Sequence, residues 1–215
     1  MDEHRYSLVI VDCDGTLVDT KHDIIYALNS SLREFDCEEY SEEEITAHVG
    51  SGITPLIQAR VKKDHIDALI KRFSVIYSEN ICMRSSVYEG WNALFELDFK
   101  ITYVVLSSKP QEFLDLLIPA LKLDQCFDAW FGREAFSEIK PSAVPIIEIM
   151  KRYNRQPSET LIVGDMKADI ISGNNANIST VAALYGYGDN AQLLETNPSY
   201  VIKTPSDLVN ILQSR

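Results

Sequence analysis

Asp12 and Asp14 follow the apolar run Leu8-Val9-Ile10-Val11 and precede the turn residues Gly15-Thr16. Short aliphatic, β-branched runs closed by a turn signal read as buried strands. The two carboxylates therefore stand at a strand's carboxyl end, two residues apart and on one side. Like charges held that close repel, and a hard cation would offset the repulsion. One carboxylate could then serve as an acid or a base. The carboxyl edge of a parallel sheet is also where open α/β proteins bind ligands. The alternative is structural, since Asp and Gly also favour caps and turns.

Other candidate strand ends carry polar residues of the same kind. Leu106 is followed by Ser107-Ser108-Lys109, and Val163 by Gly164-Asp165, with Asp169 four residues on. Lys140-Pro141 precedes a helical pattern. Each has a plain alternative: a serine as N-cap, Lys140 as a surface charge, Asp165 and Asp169 as acids favoured at a helix start. Gathered on one sheet edge, they supply hydroxyl, ammonium and four carboxylates. That set suits phosphoryl transfer, with carboxylates for a cation and a nucleophile, and donors for phosphate oxygens.

The elements that would gather them alternate along the chain. After the first strand the pattern is helical for the next stretch, with Ile24, Ile25, Leu28, Leu32 and Phe35 on one face. Ser41-Glu42-Glu43-Glu44 is a capping box, Gly50-Ser51-Gly52 a break, and Thr54-Pro55 a new helix start. A further helix is expected over 64–77, with no strand signal before Tyr88. Beyond it come helices over 91–97, 110–121, 142–153 and 167–176 and one from Ser206. Strands are expected over 101–106, 127–131, 160–163, 179–183 and 200–202. Alternation of this kind predicts an α/β fold: a Rossmann-like parallel sheet covered on both faces. The expected organisation is a core of residues 1–20 and 88–215, with residues 21–87 inserted as a small helical cap.

Composition narrows the partners. In 215 residues, 46% hydrophobic content suffices for a packed core, and the net charge of −12 argues against a nucleic-acid polymer or an anionic membrane. No apolar run has the length of a membrane span. The start Met1-Asp2-Glu3-His4-Arg5 lacks a signal-peptide pattern, so a cytoplasmic location is expected. Cys13, Cys37, Cys82 and Cys126 are scattered, without a CxxC pair, and read as reduced thiols. Cys13 points away from the two aspartates and is expected to pack as a small hydrophobe. His4, His22, His48 and His65 have no zinc-ligand spacing.

Asp12-x-Asp14-Gly15-Thr16-Leu17-x-Asp19-Thr20, Ser107, Lys140 and Gly164-Asp165-x-x-x-Asp169 resemble the four ordered motifs of the haloacid dehalogenase superfamily. The resemblance covers nearly the whole chain. Its flanks, including Val49-Gly50-Ser51-Gly52 and Leu184-Tyr185-Gly186-Tyr187-Gly188, look most like the phosphoglycolate phosphatases. The resemblance implies a Mg²⁺-dependent phosphatase acting on a small phosphorylated metabolite through an aspartyl-phosphate. Asp12 would be the nucleophile and Asp14 the acid and base. Mg²⁺ would be held by Asp12, the Asp14 carbonyl and Asp165, with Asp169 supporting that shell. Ser107 and Lys140 would bind the phosphoryl oxygens. Thr16 and Ser108 would join them as substrate-binding residues, with Gly52 contributing from the cap loop.

The chain departs from the family pattern in places. Ser108 replaces a usual asparagine, Asn177 a glycine and Glu89 a proline, and the proline usual directly after Ser142 is absent. The cap is expected to be shorter by roughly ten residues, in a span where length change is tolerated. A sugar-phosphate mutase of the superfamily is the nearest alternative, but such enzymes usually carry histidine at the position of Ile24. A non-catalytic phosphate-binding regulator on the same fold is the alternative of another class. The intact acids, Ser107 and Lys140 argue against it. A dinucleotide-binding reading of Gly50-Ser51-Gly52 fails, because the third glycine and the preceding strand are missing. The sequence leaves the oligomeric state open.

Overall fold

The first aliphatic run becomes β1 (Leu8–Val11), buried on both faces. A computed structural model describes residues 5–50, 52–98 and 100–214. Met1 to His4, and Ser51 of the expected glycine loop, lie outside the described residues.

After β1, the chain forms a two-residue strand, β2 (Val18–Asp19), and enters a helical segment. That segment contains α1 (Lys21–Glu34), α2 (Glu42–Thr46), α3 (Thr54–Arg60) and α4 (Ile66–Asn80). It leaves through β3 (Ser86–Val87). The remaining chain alternates: α5 (Asn92–Phe95), β4 (Thr102–Leu106), α6 (Gln111–Ala120), β5 (Ala129–Phe131) and α7 (Val144–Arg152). It ends with β6 (Thr160–Gly164), α8 (Lys167–Asn175), β7 (Ser179–Ala183), α9 (Asn190–Leu194), β8 (Tyr200–Ile202) and α10 (Asp207–Gln213).

Among the described residues the main sheet has six parallel strands in the order β5-β4-β1-β6-β7-β8. Counted in chain order within this sheet, that is the doubly wound Rossmann order. The order reverses beside β1, where β1 pairs with β4 on one side and β6 on the other. Period-two alternation splits the core between the two faces. Val9, Val11, Val105 and Val163 pack with Leu114, Leu117, Leu208 and Leu212. Leu8, Ile10, Val104 and Ile162 pack with Ile146 and Ile149 on the other face. Fully burying each such aliphatic side chain contributes about 1.5–3 kcal/mol.

The helical segment has a hydrophobic cluster of its own. On α1, Ile24, Ala27, Leu28 and Leu32 recur at three- and four-residue spacing and meet Leu69, Phe73 and Ile76 of α4. From the sheet side, Phe113 of α6 reaches into this cluster. The expected capping box forms at α2, where Ser41 and Glu44 satisfy each other's backbone N–H groups.

Two short strands that the sequence reading did not anticipate carry the chain in and out of this segment. β2 and β3 pair antiparallel, Val18 opposite Val87 and Asp19 opposite Ser86. Asp23, wholly buried on α1, reinforces the return by accepting from the Arg84 and Ser85 N–H groups and the Ser85 hydroxyl.

Candidate active site

The loops after β1 and β6 meet at the point where strand order reverses. Oxygens of Asp12, Asp165 and Asp169, all buried, lie within 4.8 Å of one another. Asp12 follows β1, while Asp165 and Asp169 follow β6 and open α8. The Asp169 carboxylate accepts from the Met166 N–H at 3.0 Å, which caps the helix and fixes the side chain.

Lys140 arrives from the loop between β5 and α7. Its Nζ donates to Asp12 Oδ1 at 2.5 Å, to Asp169 Oδ1 at 2.6 Å and to the Leu106 carbonyl at 2.9 Å. Burial alone would lower its pKa, but the charges of Asp12 and Asp169 more than reverse that and hold the ammonium charged. Burial raises the Asp12 carboxyl well above its usual value, with Lys140 opposing the shift.

Asp165 is held by different donors. The Thr16 hydroxyl donates to Oδ1 at 2.7 Å, and the N–H groups of Tyr187 and Gly188 donate to Oδ2 at 2.7 and 3.3 Å. Burial still pushes this carboxyl up to about 6, Asp169 adding to the rise. Gly15 passes so close that a Cβ on it would stand 2.5 Å from Asp165 Oδ2, and its φ of +89° suits only glycine readily.

Asp14 stands apart from that cluster. Its Oδ1 accepts from the Thr20 hydroxyl at 2.5 Å and pairs with Lys109 Nζ at 3.1 Å. Lys109 is 7% exposed and donates onward to the Tyr77 hydroxyl of α4 at 2.9 Å. Burial works against its charge, yet the neighbouring Asp14 raises its pKa overall. Both Asp14 and Lys109 line a cavity of about 370 Å³ between the sheet edge and the helical segment, walled by Ile24, Ile57, Phe73 and Phe113.

The other sequence-predicted residues fall around these two centres. Ser107 is buried, its Oγ accepting from the Lys109 N–H at 3.1 Å. Ser108 lines both the cavity and an adjoining cleft that contains Lys140 and Asp165. The Thr16 side chain is wholly buried and spends its hydroxyl on Asp165. Gly52 borders the cavity, but no described atom lies within 4 Å of where its Cβ would stand. It is Gly50 that approaches the sheet side closely, where a Cβ would stand 3.3 Å from Met166 Cγ. Cys13 packs as a buried hydrophobe, with burial pushing its thiol up.

Sequence reasoning gave no role to Lys109, Thr20 or Tyr187. Tyr187 links distant parts: its OH donates to Asp19 at 2.7 Å and accepts from the Thr20 and Lys21 N–H groups. Their local sequence offers little signal, because each role depends on a partner on another element.

A doubly wound sheet with three acids and a lysine gathered at its switch point is a Rossmann-like α/β core of the haloacid dehalogenase-like fold. A sequence model described as haloacid dehalogenase-like hydrolase matches residues 9–183, and the chain belongs to that family. A phosphoglycolate phosphatase of Aquifex aeolicus is 32% identical over 211 residues, covering 96% of this chain and 97% of the relative. One from Haemophilus influenzae is 29% identical over 97% of this chain and 99% of its own. The crystal structure of a predicted phosphoglycolate phosphatase from Haemophilus somnus superposes with a TM-score of 0.89 at 25% identity, covering 97% of this chain and 99% of that one.

Proposed function

We propose that this protein is a Mg²⁺-dependent phosphatase that hydrolyses a small-molecule phosphate monoester through an aspartyl-phosphate, and its similarity to phosphoglycolate phosphatases supports the phosphatase class. The observation that carries the reading is the separation of two buried centres. Three carboxylates gather at the first, two of them bonded to the Lys140 ammonium, while Asp14 is held at the second, beside the cavity.

The first centre fits a hard divalent cation. Asp12, Asp165 and Asp169 bring three carboxylates against the single positive charge of Lys140, and oxygen donors are what Mg²⁺ takes. Asp12, Asp165 and the Asp14 carbonyl would hold the ion, with Asp169 supporting them. Bound there, it would neutralise charge on the phosphoryl group.

In this reading Asp12 forms a bond to phosphorus as the bond to the leaving oxygen breaks, and Asp14 gives that oxygen a proton. Water then attacks phosphorus, Asp14 takes its proton, and the Asp12–phosphorus bond breaks to release phosphate. Ser107 and Lys140 hold the phosphoryl oxygens, Ser108 borders them, and Thr16 acts through Asp165. Residues 21–87 serve as a cap over a core of 1–20 and 88–215. Its crossing at β2 and β3 lies near the catalytic edge, where the cap can exclude water. A cytoplasmic enzyme acting on free metabolites agrees with the net charge of −12, and no helix among the described residues is long and apolar enough to cross a membrane.

The test is a panel of phosphorylated metabolites, phosphoglycolate among them, assayed for phosphate release with and without Mg²⁺. Mg²⁺-dependent turnover, with phosphate trapped on Asp12 after rapid quench, is expected. Release of phosphate from no member of the panel would overturn the reading.

A further inference from the structure

We propose that Lys109 is a positioning residue for the acid/base Asp14, and that its bond to Tyr77 makes this positioning depend on the docked helical segment. The inference rests on the phosphatase reading and adds to it a residue with no role there.

Two buried lysines serve the two centres separately. Lys140 is taken up by Asp12 and Asp169, whereas the carboxylate paired with Lys109 is Asp14. Restraint on Asp14 converges on one oxygen: the Thr20 hydroxyl at 2.5 Å and the Lys109 ammonium at 3.1 Å both meet Oδ1. Oδ2 is therefore the oxygen left to exchange a proton with the leaving group and then with water. Holding Oδ1 at two points fixes the direction in which Oδ2 faces, and misplacing a reacting group by about 1 Å can cost about 10²-fold in rate.

Lys109 is itself held from both sides. Its N–H donates to Ser107 Oγ at 3.1 Å, which ties it to the end of β4. Its Nζ donates to the Tyr77 hydroxyl at 2.9 Å and lies over the Tyr77 ring, 4.8 Å from the centroid. Tyr77 in turn stacks on Phe73 and meets the edge of Phe113, with centroids 5.6 and 4.9 Å apart. When the helical segment moves off the sheet edge, Tyr77 leaves with it, and Lys109 loses one of its two side-chain partners. Asp14 is thus held fully only when the segment is docked, which confines efficient proton transfer to the closed site.

The experiment compares wild type, K109M, K109R and Y77F on two alkyl phosphates, phosphoglycolate and glycerol 3-phosphate, and on p-nitrophenyl phosphate, whose leaving group needs little protonation. K109M is expected to lose about 10²-fold in kcat on the alkyl esters, with KM within about threefold. On the aryl ester its loss should stay below about tenfold, because acid assistance contributes little there. K109R should recover part of the alkyl activity, and Y77F should show a smaller loss with the same alkyl bias. If K109M does not fold, Y77F and K109R carry the comparison by the same bias. Equal losses on alkyl and aryl esters would overturn the proposal. So would a rise in KM confined to phosphoglycolate, which would make Lys109 a partner of the substrate carboxylate. A wild type inactive on all three esters would overturn the phosphatase reading along with this one, so the two failures are told apart.

Discussion

At the scale of single residues, the site sets unlike environments for like groups. Asp12 shares Lys140 with Asp169, while Asp14 keeps Lys109 and the Thr20 hydroxyl. Asp12→Asn should abolish phosphatase turnover, because an amide is a far poorer nucleophile, and Lys140 keeps Asp169 as a partner, so the fold should survive. Circular dichroism and an activity assay check this together, and substantial Mg²⁺-dependent turnover would remove Asp12 as nucleophile. Asp14→Asn should lower kcat by about 10²- to 10⁴-fold, the range of lost acid/base assistance. That loss should be smallest on aryl phosphates, and equal losses on all esters would speak against proton transfer by Asp14. Lys140→Ala removes the ammonium bonded to Asp12 and Asp169. Leaving buried charges without their partner typically costs about 3–5 kcal/mol, which denaturant unfolding would read directly.

Among the elements, the junction between sheet and helical segment concentrates the long-range bonds. Tyr187 follows β7 in sequence, yet its hydroxyl holds Asp19, Thr20 and Lys21 at the exit from β2, and its N–H holds Asp165. Tyr187→Phe keeps the N–H and deletes the hydroxyl, leaving partly buried groups at the hinge unsatisfied at about 1–3 kcal/mol. Hydrogen exchange should then quicken at residues 17–21, and unchanged protection there would show that the hinge is held by the β2–β3 pair instead. These elements also mark how far the sequence could be read. β1, β4 and β6 were legible because short apolar, β-branched-rich runs closed by turn residues leave few alternatives, and α1 was legible from its spacing of Ile24, Leu28 and Leu32. β2 and β3, at two residues each, are too short to carry an alternation, and five-residue α9 has hardly one turn of pattern. The helix expected over 64–77 begins after a 3₁₀ turn and runs Ile66–Asn80, a shift typical of helix ends. The positions of Asp12, Asp14, Asp165 and Asp169 at strand ends were legible from their short spacing after apolar runs. Lys109 and Tyr187 were not, since a lysine after a strand end or a tyrosine in a glycine-rich loop turns inward only because a partner far along the chain is there.

For the molecule as a whole, the main electrostatic strain lies at one sheet edge. Three buried carboxylates face one ammonium there, in a chain whose net charge is already −12. Folding this arrangement without a cation keeps like charges together out of water, and the raised Asp12 and Asp165 carboxyls express that cost. A divalent ion that binds the folded edge, and finds no such cluster in the unfolded chain, must stabilise the fold by mass action. At a Mg²⁺ concentration about 100-fold above Kd the gain is about 2.7 kcal/mol. At about 2–4 °C per kcal/mol for a chain of this size, Tm should rise by roughly 5–10 °C. Thermal unfolding after chelation and again after Mg²⁺ addition measures it. Asp165→Asn should reduce the shift sharply, since Asp165 belongs to the three-acid cluster and has no ammonium partner among the described residues. A wild type whose Tm is the same with chelator and with saturating Mg²⁺ would remove the cation from this edge and leave the cluster balanced by protons and Lys140 alone.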